Sequence, residues 1–242
     1  MAELAGRPFA AFDIDGTIIR WQLYHAIAEE LAHAGVLGGI EYETVRAARL
    51  RWKNRHSHDA FEDYERTLVN VVDAALTGIS VEQLKAACST VITQYKNQVY
   101  TFTRDLIKQL QADGYLLFAI SASQSEIVQL LAEYYNFDDY AGSIYETKDG
   151  YYTGHKDLVK STRKPEYLKQ LVNKHSATWQ GSIAVGDSES DIPMLNIVEN
   201  PIAFNPSKPL FEQAAASNWR VVIERKNMIY DLRSRDGTYL LA

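Results

Sequence analysis

Short apolar runs and amphipathic segments alternate along much of the chain. The first apolar run, 8–12, stops at the acidic segment 13–17, which predicts a buried strand that leads into a loop. Further runs that predict strands occupy 115–120, 182–185, 202–204 and 220–223. Amphipathic segments that predict helices occupy about 102–113, 124–135, 164–175 and 209–216. This alternation predicts an α/β fold with a mostly parallel sheet and helices on both faces.

Residues 21–96, between the first two predicted strands, follow a helical pattern instead. Apolar residues recur at helical spacing, as at Leu23, Ile27 and Leu31. We therefore expect an all-helical unit at 21–96, inserted into an α/β core formed by 1–20 and 97–242. Within that core, Asp149-Gly150 predicts the turn of a β hairpin at 143–153.

Composition and charge narrow the functional classes. The 242 residues are 46% hydrophobic and 23% charged, which is enough apolar content for a sizeable core. A net charge of −6 disfavours nucleic-acid and anionic-membrane partners. No apolar run approaches the roughly 18 residues of a membrane helix, and no secretory signal is visible. A single cysteine, Cys88, cannot form an internal disulfide, so we expect a cytoplasmic protein. We expect it to be either a monomer or a homodimer.

Polar residues are concentrated where the predicted strands end, together with a lysine that opens a predicted helix. In an open parallel sheet such ends meet at one edge, where ligands bind. Clustered carboxylates repel one another unless a cation binds, and hard oxygen ligands favour Mg²⁺. Hydroxyl and ammonium donors suit the oxygens of a phosphoryl group, so we expect phosphoryl transfer through an aspartyl-phosphate. The residues are Asp13, Asp15, Ser121, Lys164, Asp187 and Asp191.

Four segments resemble, in order, the motifs of the haloacid dehalogenase (HAD) superfamily. They are D-I-D-G-T at 13–17, I-S-A-S at 120–123, Lys164, and G-D-S-E-S-D at 186–191. The helical insert resembles the cap of the phosphoserine-phosphatase-like branch, subfamily IB. The resemblance implies a Rossmann-like core with a helical cap, and a Mg²⁺-dependent phosphatase that acts on a small phosphorylated metabolite.

The resemblance also implies roles for the acidic residues. Asp13 would attack phosphorus, and Asp15 would protonate the leaving alcohol and then activate water. The Asp13 side chain, the Asp15 backbone carbonyl and Asp187 would hold Mg²⁺. Asp191 would support the metal indirectly, either through a bound water or through hydrogen bonds to the groups that bind the metal.

Three further side chains would hold the phosphoryl oxygens: Thr17, Ser121 and Lys164. Lys164 would in addition offset the charge of Asp13. Ser123 has a simpler interpretation, as the cap of the helix that follows it.

At two positions the sequence departs from phosphoserine phosphatases, and these departures weaken the assignment of phosphoserine as the substrate. Gln22 stands where those enzymes carry a glutamate that binds the substrate amino group. Ala122-Ser123 stands where they carry Gly-Gly. The basic run 46–55 offers Arg51 and Arg55 as candidate ligands for an anionic part of the substrate, and a solvated helix face is the alternative interpretation.

Two other functions are compatible with the motifs. One is a phosphotransferase that uses the same aspartate and excludes water. The other is a partner-binding protein of the same fold without turnover, which the intact Asp13, Asp15, Lys164 and Asp187 disfavour.

Overall fold

The computed structural model describes residues 6–57, 59–235 and 238–241. They form two compact units. The first unit comprises Met1–Gln22, Tyr95–Ser143 and Leu158–Ala242, and the second comprises Leu23–Gln94 and Ile144–Asp157. Among the described residues, no helix has both the length and the apolar content needed to cross a membrane.

The secondary structure alternates between strands and helices outside the segment 23–95. The strands are β1 (Pro8–Phe12), β2 (Leu116–Gln124), β3 (Asp139–Lys148), β4 (Tyr151–Asp157), β5 (Thr178–Gly186), β6 (Asn200–Phe204), β7 (Arg220–Arg225), β8 (Met228–Arg235) and β9 (Thr238–Leu241). The α-helices are α1 (Leu23–His33), α2 (Gly39–Lys53), α3 (Ala60–Ala75), α4 (Val81–Tyr95), α5 (Thr101–Ala112), α6 (Ser125–Tyr134), α7 (Lys164–Lys174), α8 (Ile192–Leu195) and α9 (Lys208–Ala216). Short 3₁₀ turns occupy Leu76–Gly78, Ser161–Arg163 and Glu189–Asp191.

The sheet of the first unit runs in the order β3-β2-β1-β5-β6-β7-β8-β9. The neighbours from β3 to β7 are parallel, and β8 and β9 add antiparallel strands at one edge. The predicted α/β fold, with a mostly parallel sheet and helices on both faces, is confirmed. The pattern does not predict β8 and β9, because side chains such as Met228 and Leu241 are apolar but exposed and follow no clear alternation.

Burial explains why β1 lies inside this sheet. Its residues Phe9 to Phe12 are all fully buried, as expected for a strand covered on both faces. Phe12 pairs with Ala119 of β2 on one side and with Val185 of β5 on the other. The residues that follow these paired positions therefore leave the sheet at the same edge.

The second unit combines the helices α1 to α4 with a β hairpin. Asp149 and Gly150 both have positive φ, 51° and 84°, which is the turn conformation that joins two strands with native twist. The predicted hairpin, with its turn at Asp149-Gly150, is confirmed by the antiparallel pairing of β3 and β4. The part of this hairpin beyond Ser143 contacts the helical segment, where Lys156 Nζ lies 2.5 Å from Asp73 Oδ2 on α3. Ile144–Asp157 therefore belongs with the helical segment, whereas the sequence pattern assigns it to the core.

Candidate active site

The loop after β1 turns sharply and brings its acidic residues back toward the sheet edge. The Asp13 N–H donates to the Val185 carbonyl at 2.9 Å, so the pairing of β1 with β5 continues into the loop. The Ile14 carbonyl then accepts from the N–H groups of Ile18 and Ile19, at 2.8 and 3.0 Å. Gly16 has φ of +83°, and a Cβ at this position would overlap the carboxylate of Asp187. The loop therefore requires glycine here for two reasons, the backbone conformation and the space.

A lysine is buried between two carboxylates at this edge. Lys164, the first residue of α7, is 1% exposed, while Asp13 and Asp191 are 5% and 0% exposed. Its Nζ lies 2.8 Å from Asp13 Oδ1 and 2.5 Å from Asp191 Oδ1. The ammonium can thus neutralise part of the charge on Asp13 while it stays fixed by Asp191.

The second oxygen of Asp191 organises the loop after β5. It accepts hydrogen bonds from the backbone N–H groups of Asp187 and Ser188, at 3.1 and 3.0 Å, and from the Ser188 hydroxyl at 3.1 Å. A Cβ at Gly186 would overlap the Asp191 side chain. Asp191 therefore connects Lys164 to the loop that carries Asp187.

Three carboxylates at this edge form a group that can hold a cation. Oxygens of Asp13, Asp187 and Asp191 all lie within 4.8 Å of one another. Burial, together with repulsion among the carboxylates, raises the pKa of Asp13 to about 7 and the pKa of Asp187 to about 9. A bound divalent cation would remove this penalty on the ionised forms, and an all-oxygen donor set fits Mg²⁺.

The Lys164 side chain stays protonated in the same environment. Burial by itself would lower the pKa of this ammonium. The neighbouring carboxylates of Asp13 and Asp191, which also accept hydrogen bonds from it, outweigh burial and raise the pKa above its usual value. Lys164 is therefore a cation throughout the neutral pH range.

Two serine hydroxyls hold the carboxylate of Asp15. Ser121 Oγ and Ser123 Oγ donate to Asp15 Oδ2 at 3.0 and 2.8 Å. Because Ser123 lies in β2 and α6 begins only after Gln124, the interpretation of Ser123 as a helix cap is wrong. The period of two along a strand was the signal that could have placed both hydroxyls on one face.

Thr17 contributes a buried hydroxyl at the loop after β1. Its Oγ1 has no hydrogen-bond partner among the described residues. The Thr17 backbone is fixed, because its carbonyl accepts from the Thr103 hydroxyl at 2.9 Å. An unpartnered buried hydroxyl is costly, so the geometry fits an anion that would accept from it.

The other three predicted substrate ligands are Gln22, Arg51 and Arg55. Gln22 is half-buried at the end of the first unit's opening segment. Arg51 and Arg55 are exposed in the second unit, in the last turn of α2 and just after it. That any of the three contacts substrate stays a prediction. Elsewhere in the basic run, Arg46 pairs with Glu43 at 2.7 Å and Arg49 with Glu29 at 3.1 Å.

The family model of haloacid dehalogenase-like hydrolases matches residues 10–196. A phosphoserine phosphatase from Lactococcus lactis subsp. lactis is 32% identical over 230 residues, which cover 93% of this chain and 94% of that protein. A histidinol-phosphatase from Neisseria meningitidis serogroup C is 24% identical over 226 residues, which cover 88% and 97%.

A solved structure, a phospho-aspartyl intermediate analogue of phosphoserine phosphatase, superposes with a TM-score of 0.62. It is 21% identical to this chain, and the match covers 91% of this chain and 95% of that structure. The two proteins therefore share a fold.

Proposed function

Since the chain belongs to the haloacid dehalogenase-like hydrolases and is a phosphatase, we propose that it hydrolyses a small phosphomonoester through an aspartyl-phosphate on Asp13. One observation carries this proposal. Asp13, beside the buried Lys164, and Asp15, held by two hydroxyls, lie two residues apart on one loop. A carboxylate next to a cation is a suitable nucleophile, and a second, separately held carboxyl group is a suitable acid and base.

In the first step, an oxygen of Asp13 forms a bond to phosphorus while the ester bond to the alcohol breaks. Asp15 gives its proton to the departing alcohol oxygen, so that no alkoxide is released. Lys164 binds the phosphoryl oxygens together with the hydroxyls of Thr17 and Ser121. These positive and hydrogen-bonding groups stabilise the charge of the transition state, which is the main contribution available to an enzyme of this kind.

In the second step, water replaces Asp13 on phosphorus. Asp15, now a carboxylate, accepts a proton from the attacking water, and the bond between phosphorus and the Asp13 oxygen breaks. Phosphate leaves, and Asp13 returns to its initial form. The same group thus acts as an acid and then as a base.

The carboxylates of Asp13 and Asp187, with the backbone carbonyl of Asp15, would hold Mg²⁺. When bound, the ion would supply positive charge close to the phosphoryl oxygens. Both oxygens of Asp191 already accept hydrogen bonds, from Lys164 and from the loop at 187–188. We therefore assign Asp191 an indirect role, through the groups that it fixes.

The substrate is proposed to be a small phosphorylated metabolite like those of the relatives. Their names indicate phosphoserine in one case and histidinol phosphate in the other. Both substrates carry an amino group, whereas Gln22 offers a neutral amide at the position proposed to meet it. The proposal therefore specifies the phosphate ester of the substrate, and the alcohol is what the panel of metabolites is to identify. Arg51 and Arg55 are proposed ligands if that part is anionic.

The test is phosphate release from a panel of phosphorylated metabolites, compared between the wild type and Asp13→Asn. We expect the variant to lose turnover on every substrate that the wild type accepts. Asp113→Asn, an exposed aspartate at the end of α5, is the matched control and should keep full activity. Full activity of Asp13→Asn would contradict the nucleophile assignment. Transfer of phosphate to an added alcohol instead of water would favour the phosphotransferase.

A further inference from the structure

The hydroxyl of Ser123 has no part in the chemistry described so far. It is buried, and it makes the shorter of the two hydroxyl hydrogen bonds to Asp15 Oδ2, 2.8 Å against 3.0 Å for Ser121. The Ser123 backbone N–H also donates to Ser121 Oγ at 3.0 Å. The two serines are therefore linked to each other as well as to Asp15.

The two hydroxyls cannot serve Asp15 equally once a phosphoryl group is bound. Each serine hydroxyl has one proton to donate. If Ser121 gives that hydrogen bond to a phosphoryl oxygen, as the proposed function requires, its bond to Asp15 is lost. Ser123 then remains as the hydroxyl that holds this carboxyl group.

We propose that Ser123 is a positioning residue that orients Asp15 for proton transfer. In a carboxylic acid the carbonyl oxygen is the better hydrogen-bond acceptor, so an Oδ2 that accepts from the Ser123 hydroxyl favours the proton on Oδ1. The Oδ1–H bond then breaks as the ester oxygen gains that proton and separates from phosphorus. This inference rests on the proposed function, and it concerns the orientation of Asp15 rather than its identity.

The experiment compares Ser123→Ala with the wild type on a series of substituted phenyl phosphates. These substrates have similar shapes but differ in how much their leaving groups need a proton. General acid catalysis typically contributes about 10²–10⁴-fold. We expect kcat/KM to fall roughly 10- to 100-fold on phenyl phosphate and less than about threefold on p-nitrophenyl phosphate, whose anion leaves readily. KM should change little on either substrate.

Three further variants fix the interpretation. Ser143→Ala is the matched control, because the Ser143 hydroxyl donates to the Ala122 carbonyl at 2.7 Å and accepts from the Val159 N–H at 3.0 Å. It supports the same segment through backbone groups, and its loss should lower all rates by the same factor. Asp15→Asn gives the steepest expected dependence on the leaving group. Ser123→Thr, which keeps a hydroxyl, should restore most of the activity on phenyl phosphate.

A uniform loss across the series in Ser123→Ala, or no loss at all, would overturn the positioning role. If the wild type hydrolyses none of the phosphates, the proposed function fails instead, and crystal structures of Ser121→Ala and of the double variant Ser121→Ala/Ser123→Ala decide the orientation, because Ser121 also holds Asp15 Oδ2 when no phosphoryl group is bound. We expect the Asp15 carboxyl group to rotate in the double variant. An unchanged Asp15 in that structure would refute the role of Ser123 independently of any activity.

Discussion

Replacing Lys164 by methionine tests the buried ion pair directly. The substitution keeps most of the side-chain length but removes the ammonium that lies between Asp13 and Asp191. Removing one partner of a buried pair costs about 3–5 kcal/mol, because the remaining charge stays buried without compensation. Both carboxylates and the lysine are at most 5% exposed, so solvent cannot replace the lost partner. We therefore expect the free energy of unfolding to fall by about that amount near pH 8.

The assay is thermal and urea unfolding of the variant and the wild type, followed by circular dichroism in the presence of EDTA. For a chain of this length, the expected loss corresponds to a decrease in Tm of roughly 6 to 20 °C. The decrease should be smaller at pH 6 than at pH 8, because Asp13, whose pKa is already raised to about 7, can then be neutral. Hydrolysis should fall by about 10²-fold or more, as when one donor to the transition state is lost.

The matched control is Lys174→Met at the other end of α7. Lys174 Nζ lies 2.7 Å from Asp139 Oδ2, but its side chain is 66% exposed. Ion pairs in water contribute little, so this variant should keep the wild-type Tm and activity. A Tm for Lys164→Met that matches the control would refute the reasoning, because it would mean that the buried carboxylates do not need the lysine.

Other substitutions and conditions test separate parts of the site. Gly16→Ala should abolish hydrolysis and lower the Tm, since a Cβ there overlaps Asp187; retained activity would show that the loop can move away. Thr17→Val should lower kcat/KM by about 10²-fold while the free energy of unfolding stays equal or rises by about 1 kcal/mol, because the hydroxyl is buried without a partner among the described residues. In EDTA, stability should decrease as pH rises from about 4 to about 9, because Asp13 and Asp187 bind protons more tightly in the folded state than in the unfolded one. Mg²⁺ should remove most of that decrease, and a flat profile in urea titrations without metal would contradict the raised pKa values.

The sequence predicts those parts of the site that follow from topology. A parallel sheet sends the ends of neighbouring strands to one edge, so the positions of Asp13 and Asp187 follow from the apolar runs before them. Lys164 is selected by its position at the start of a predicted helix together with the resemblance, because other lysines lie close to it in the chain. Its partners, Asp13 and Asp191, depend on how α7 packs, and no local pattern encodes that packing.

Other features depend on side-chain directions that a motif does not carry. The role of Asp191 as a link between Lys164 and the Ser188 backbone required the hydrogen bonds themselves. Ser123 was interpretable as a cap because serine favours that position, and tertiary contact with Asp15 overrode the preference. The edge strands β8 and β9 were missed because exposed apolar side chains at an edge do not alternate in the way that half-buried strands do.

The alternation along β2 makes the chemistry depend on whether its residue count is even or odd. Ser121 and Ser123 are buried on one side, while Ala122 between them is exposed. Inserting or deleting one residue after the pairing of Ala119 with Phe12 would turn both hydroxyls away from Asp15 and present alanine instead. A change of two residues would restore the side but move the hydroxyls by about 7 Å along the strand. The number of residues in β2 therefore determines which side chains face Asp15. Its length is constrained by the proposed proton transfer as well as by packing.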